Sequence, residues 1–207
     1  SLIDDKDALI TDDVHKADLL NNYFSSVCTK DDGNLPNFIS RTSSTIETIS
    51  FTPAIITRCI NKLKTNTSAG PDGLSTIILK KLGDSIAYPL SMFFTSFMSV
   101  SKLPTEWKSA IVTPIYKKGQ SSCCNNYRPI SLTCTSCKIM ERTIVLELTG
   151  YLRANNLITR EQHGFLTRRS TTTNLLETLN DWTVAINGRH LVSTVYIDYS
   201  KAFDAVR

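Results

Sequence analysis

Along the chain the apolar positions change period, and each change marks an element. In "HKADLLNNYFSSVC", Leu19, Leu20, Tyr23, Phe24 and Val27 share one face of a 3.6-residue repeat, which predicts a helix. The polar stretch "DDGNLPNFISRTSSTIETIS" then reads as a loop or linker. Thr52-Pro53 opens a second helix, with Thr as N-cap and Pro at the first helical position. Its apolar face is Ile55, Ile56, Cys59, Ile60 and Leu63, and the turn formers of "TNTSAGPDG" end it. Gly70 and Gly73 are expected to supply positive φ in that turn. Ser75 is placed to cap a further helix, and another is expected from about Asp84 to Ser101.

The period switches in "LPTEWKSAIVTPIYKKG", where Ala110, Val112 and Ile115 predict a strand ending in paired lysines and Gly119. "NNYRPISL" reads as the returning strand, carrying Arg128. A long helix follows from about Thr135 to Asn155, striped by Ile139, Met140, Ile144, Leu148 and Leu152. After the basic loop "TREQHGFLTRRSTTTN", Ser170 or Thr171 caps a helix whose inward face would be Leu175, Leu179, Trp182 and Ile186. Asn187-Gly188 would close it as a left-handed cap. Leu191 to Tyr199 is predicted as the last strand, carrying Asp198 near its end. Helices, a hairpin, more helices and a strand make an α+β arrangement.

Composition narrows the classes. The chain has 207 residues, enough for one domain or one and a half, and 41% hydrophobic with 20% charged residues excludes bulk disorder. A net charge of +4 is compatible with a nucleic-acid partner without being evidence for one. No apolar run approaches the roughly 20 residues that span a bilayer; "SIAYPLSMFFTSFMSV" is shorter and holds Pro89. The acidic start "SLIDDKDALITDD" is no signal peptide and lacks Met; with the end at Arg207, the expectation is a chain cut at both ends. The spacing of Cys123, Cys124, Cys134 and Cys137 invites zinc. However, adjacent cysteines do not easily chelate one ion together, and no His lies nearby, so reduced thiols in an intracellular protein are expected.

Three stretches carry chemistry. In "YIDYSKAFD", Asp198 ends an apolar strand, where it offers a hard oxygen ligand to a divalent ion or else caps the following turn. In "PIYKKGQSSCCNNYRPISL", Lys117, Lys118 and Arg128 lie on two arms of a hairpin, suited to a triphosphate or simply solvated. In "QHGFLTRRST", Arg168, Arg169, Ser170 and Thr171 precede a helix N-terminus, suited to a phosphodiester backbone or an ordinary charged loop. "SAGPDG" lacks the Lys-Ser/Thr of a phosphate-binding P-loop and reads as a tight turn. His15, His163 and His190 show no metal or triad spacing.

The stretches "TNTSAGPDGLS", "LPTEWKSAIVTPIYKKG", "NYRPISLTCTSCKIMERTI", "QHGFLTRRSTTTNLLE" and "VYIDYSKAFDAV", in this order from Lys64 to Val206, closely resemble the reverse transcriptase of non-LTR retrotransposons, of the jockey-like or related long interspersed elements of animals. The resemblance implies a right-hand polymerase fold. Residues 51–190 would be fingers and part of the palm. Residues 191–207 would be the first palm strand and the start of a following helix, truncated there. Residues 1–50 would be a lead-in from an upstream endonuclease.

It also implies roles. Asp198 would be the first metal-binding catalytic aspartate, for Mg²⁺ or Mn²⁺. Phe203 would be the steric gate against a ribonucleotide 2′-hydroxyl. Arg128 with Lys117 or Lys118 would contact the incoming dNTP. Gln162, Gly164, Phe165, Arg168, Arg169 and Ser170 would contact template. The implied partners are an RNA template, a DNA primer and dNTPs, with no membrane, in nucleus and cytoplasm; the oligomeric state is left open.

Two features depart from the family. The paired-aspartate hairpin, F/Y-A-D-D, is absent, so the 207-residue chain by itself is expected not to hold both ions; "LTRRS" replaces the usual Arg-x-Gly-Arg-Ser. The competing readings are a non-catalytic RNA-binding remnant and an intron-maturase-type polymerase domain. With an incomplete palm sheet, the strand at 191–199 would leave an open edge and the chain would be marginally stable.

Overall fold

A computed structural model describes residues 1–4, 6–30, 32–34, 38–39 and 41–203. The end of the expected palm segment, residues 204–207, lies outside them. A short antiparallel pair, β1 (Leu2–Ile3) and β2 (Leu9–Ile10), leads into α1 (Asp13–Val27). Asp12 caps α1 by accepting from the His15 backbone N–H. Four helices then form the core elements: α2 (Pro53–Asn61), α3 (Thr76–Leu82), α4 (Asp84–Val100) and, after an intervening hairpin, α5 (Thr135–Ala154). Thr52 caps α2 through the Ile55 N–H, with Pro53 at the first helical position, as the sequence predicts.

The core is where these helices meet. Ile56 and Ile60 of α2, Leu79 of α3, Phe94 of α4 and Ile139 and Met140 of α5 are fully or nearly fully buried together with Phe51. Phe94 packs edge-on to Phe51 at 5.6 Å and to Trp107 at 5.9 Å, which ties the segment entering the hairpin to the core. Beyond Met140 the predicted α5 stripe fades: Ile144 is half-buried and Leu148 is exposed.

The "SAGPDG" turn works differently from expectation at one of its glycines. Gly73 has φ +65°, but Gly70 does not lie in the left-handed region. Gly70 is required for close approach instead: a Cβ there would sit 2.5 Å from the Thr133 carbonyl and the Cys134 nitrogen.

The predicted hairpin is β3 (Ile111–Tyr116) against β4 (Tyr127–Leu132), antiparallel. Pro114 faces Pro129 in its register. Neither has an N–H, so their pair falls at a non-hydrogen-bonded position of the ladder, where no donor is lost. Lys117 extends the ladder by donating its N–H to Asn126 O at 2.8 Å, a position of the opposite, bonded parity.

The last helix, α6 (Thr171–Asn187), departs from expectation on its apolar side. Leu175, Leu179 and Ile186 are more than half exposed and Trp182 is only half-buried. Gly188 has φ −77°, and the left-handed residue is Arg189, at φ 59°. The predicted strand at 191–199 does not form either; these residues are exposed and irregular. A strand exists only through pairing, and among the described residues no segment pairs with this one.

The N-terminal residues touch the hairpin loop. Leu2 is buried, the Ile3 N–H donates to Ser122 O at 2.9 Å in the hairpin loop, and α1 packs against the turn at Cys124–Asn126.

Candidate nucleotide and nucleic-acid site

The hairpin register decides which of its cations act together. Side chains alternate faces along a strand, and residues directly opposite share one. Arg128 faces Ile115, so Lys117, two residues beyond Ile115, lies on the Arg128 face. Tyr116 and Tyr127 pair on the other face, with ring centroids 5.7 Å apart. Lys117, Lys118 and Arg128 are exposed, and none is in an ion pair among the described residues. The loop joining the strands is braced from within. The Tyr127 hydroxyl donates to Ser121 O at 2.7 Å, the Asn126 amide to Gln120 O at 2.8 Å, and the Tyr116 hydroxyl to Gly119 O.

The loop ahead of α6 holds a cluster that sequence spacing does not reveal. His163 is buried; its Nδ1 meets Thr173 Oγ1 at 2.8 Å and its Nε2 meets Glu177 Oε2 at 2.9 Å. Arg169 Nη1 donates to Glu177 Oε1 at 2.9 Å and lies 3.0 Å from His163 Nε2. The Thr173 hydroxyl also donates to Ser170 O. The hydrogen bond from His163 is the largest influence holding the Glu177 carboxyl below its ordinary pKa; the Arg169 charge adds to it, and desolvation opposes both. One signal for this cluster was available: Thr173 and Glu177 stand one turn apart on the same helix face, directly below the Ser170 cap.

Ser170 forms a reciprocal capping box with Thr173. The Gln162 amide donates to Gly164 O at 3.0 Å, so this side chain shapes the loop. Arg168 is exposed with φ 65°, and Phe165, at φ 61°, is almost fully exposed.

The C-terminal segment meets two other parts of the chain. Phe203 packs edge-on to Phe165 with centroids 6.1 Å apart, bringing together the predicted gate and template loop. Lys201 donates to the Tyr23 hydroxyl of α1 at 2.6 Å and stands over that ring at 4.5 Å. Asp198 is exposed and makes no ion pair among the described residues. It is therefore not brought into contact with Lys117, Lys118 or Arg128. Among the described residues no group of three or more His, Cys, Asp or Glu gathers to hold a metal. A lone carboxylate does not hold Mg²⁺ without further oxygen ligands, so the described residues do not by themselves fit the expected two-ion centre. The cysteines are free thiols: buried Cys134 donates to Glu106 O, and Cys137 to Glu141. No helix among the described residues is long and apolar enough to cross a membrane.

Residues 115–207, which include the last two residues of β3, all of β4, the loop ahead of α6 and Asp198, match the family described as reverse transcriptase (RNA-dependent DNA polymerase). The RNA-directed DNA polymerase from the mobile element jockey of Drosophila melanogaster is 30% identical over 148 residues, 71% of this chain and 16% of that protein. The probable RNA-directed DNA polymerase from transposon X-element of the same fly is 25% identical over 157 residues, 75% of this chain and 17% of that protein. That from transposon BS is 28% identical over 152 residues, 73% of this chain and 17% of that protein. The chain thus spans about a sixth of the length of these relatives. Residues 115–207 are thus similar to the reverse transcriptase family, and about three quarters of the chain is similar to part of the RNA-directed DNA polymerases of mobile elements.

Proposed function

We propose that this chain contributes the nucleotide-holding and template-holding segments of an RNA-directed DNA polymerase, with residues 51–190 as fingers and early palm and 191–207 continuing the palm. The observation that carries the reading is the shared, solvent-facing side of the hairpin on which Lys117 and Arg128 stand without a carboxylate partner among the described residues. A forked guanidinium and a compact ammonium suit the oxygens of a triphosphate. In the whole enzyme a primer 3′-oxygen would bond to the α-phosphorus of a dNTP as the bond to the departing pyrophosphate breaks. Arg128 and Lys117 would orient the phosphates and balance the charge growing on the leaving group. Lys118 follows Lys117 just past the strand end. Phe203, seated against Phe165, would press where a ribonucleotide carries its 2′-hydroxyl. Gln162, Gly164, Phe165, Arg168, Arg169 and Ser170 form the loop that would meet template.

Asp198 is proposed as one oxygen donor to the divalent ion that such polymerases use, Mg²⁺ or Mn²⁺, alongside donors from outside the described residues. A non-catalytic RNA-binding role for this stretch alone is favoured by the same lone carboxylate.

A fluorescent dNTP titrated into the 207-residue chain tests the hairpin. Arg128→Ala is expected to weaken binding by roughly 10- to 150-fold, from the loss of about 1.5–3 kcal/mol for a charged hydrogen bond, with Lys117→Ala weakening it less. Unchanged affinity in both variants would remove the triphosphate assignment. Primer extension with either ion is expected to show no template-dependent incorporation by this chain alone.

A further inference from the structure

Three arginines that no single motif joins converge where α5 ends. Arg153 comes from the last turn of α5, Arg160 from the turn after it, and Arg169 from the loop ahead of α6. They wall a cleft of about 320 Å³. Thr159 and Thr167 add hydroxyls, Ile158 and Leu166 add apolar surface, and no carboxylate lines it. Arg169 is neutralised and fixed by Glu177, but Arg153 and Arg160 are exposed and form no ion pair among the described residues. The cleft therefore carries uncompensated positive charge on a preorganised frame.

We propose that this cleft binds the phosphodiester backbone of a single RNA strand. Guanidinium forks pair bidentately with phosphate oxygens, hydroxyls donate to the same oxygens, and the apolar side chains offer a surface to a sugar or base face. The ligand is a strand rather than one mononucleotide because exposed Arg168, next in the chain to the cleft-lining Arg169, carries the cationic surface beyond the cleft. The inference rests on the reverse-transcriptase reading and extends its template grip to Arg153 and Arg160, which lie upstream of the loop that reading names.

The test is fluorescence anisotropy of a labelled single-stranded RNA with the 207-residue chain over a KCl series, with a thermal melt of each variant. Each phosphate contact contributes about 0.7 to the slope of log affinity against log salt for a single strand. Arg153→Ala/Arg160→Ala is therefore expected to flatten that slope by about 1.4 with an unchanged melting temperature, since neither side chain is in an ion pair among the described residues. Arg153→Lys/Arg160→Lys should recover most of the slope, separating charge from fold. A double-alanine variant with the wild-type slope would overturn the site while leaving the polymerase reading intact. A wild-type chain that shows no salt-dependent RNA binding would defeat the reading itself and the site with it. Displacement of the RNA by free dNTP at matched phosphate concentration would reassign the cleft to a mononucleotide and overturn the strand assignment.

Discussion

Arg168 and Arg169 are neighbours with different environments. Arg168 is exposed in a left-handed conformation, whereas Arg169 reaches back to Glu177 and His163. The sequence shows two equivalent cations, because only the folded loop decides which one is committed. His163 escaped a reading based on metal or triad spacing for a related reason: its partners, Thr173 and Glu177, become neighbours only once α6 is capped and the loop folds over it. This cluster makes the loop sensitive to acid. A carboxyl whose folded pKa is depressed adds stability above its ordinary value, near 4.5, and loses that contribution as pH falls through the lower folded value. Glu177→Gln is accordingly expected to melt below wild type at pH 7, with the difference shrinking under acid conditions below about 4.5. Melting curves over pH 3–7 check it, and a constant difference would deny the ionic role. Thiol chemistry separates residues in the same way. Burial, reinforced by Glu141, pushes Cys137 up to about 11, while Cys28 is exposed. Iodoacetamide at pH 8 is expected to label Cys28 and spare Cys137 in the folded chain, as read by peptide mass mapping.

At the scale of elements, legibility followed how local the cause was. The α2 entry was readable because Thr52 and Pro53 act on their own backbone. The hairpin was readable from its change of period, and its facing prolines fix a register that a slip by one residue would spoil. The strand at 191–199 was not readable as it stands, because apolar alternation reports a preference that only a partner strand can realise. The apolar side of α6 failed likewise: the stripe at Leu175, Leu179 and Ile186 is real, but nothing among the described residues covers it. Gly70 gives the element scale its sharpest test. Its missing Cβ admits the backbone of Thr133 and Cys134, which cannot swing aside as a side chain would. Gly70→Ala is expected to cost about 1–3 kcal/mol in urea unfolding. At Gly73 a Cβ meets open space, so alanine there should cost only the left-handed backbone penalty, about 1–2 kcal/mol. Equal and negligible losses at both sites would refute the close-approach account.

The whole molecule separates what holds it together from what it offers to other molecules. Phe51, Ile56, Ile60, Phe94 and Ile139 bury one helical core, while the hairpin cations, the Phe165 loop, α6 and Asp198 all stand outside it. Among the described residues, the outer parts are tied to the chain's beginning by the Ile3 bond to Ser122, by α1 against the Cys124–Asn126 turn and by Lys201 on Tyr23. The first residues thus brace the loop between the lysines and Arg128, a connection that no pattern within 1–50 discloses because its other half lies more than a hundred residues away. Stability should therefore be graded, since segments with few buried contacts open at lower free energy than the core. Native-state hydrogen exchange is expected to find the slowest amides in α2, α4 and α5, intermediate protection in the hairpin, and the fastest exchange across 190–200. Tyr23→Phe removes the hydroxyl that receives Lys201 but leaves the ring beneath the ammonium. It should speed exchange around 200–203 while leaving the α2–α5 amides unmoved, because that tie lies outside the core. If the mutation instead accelerated the core amides as much as the C-terminal ones, the molecule would be a single cooperative unit, and the separation of core from binding surface would not hold.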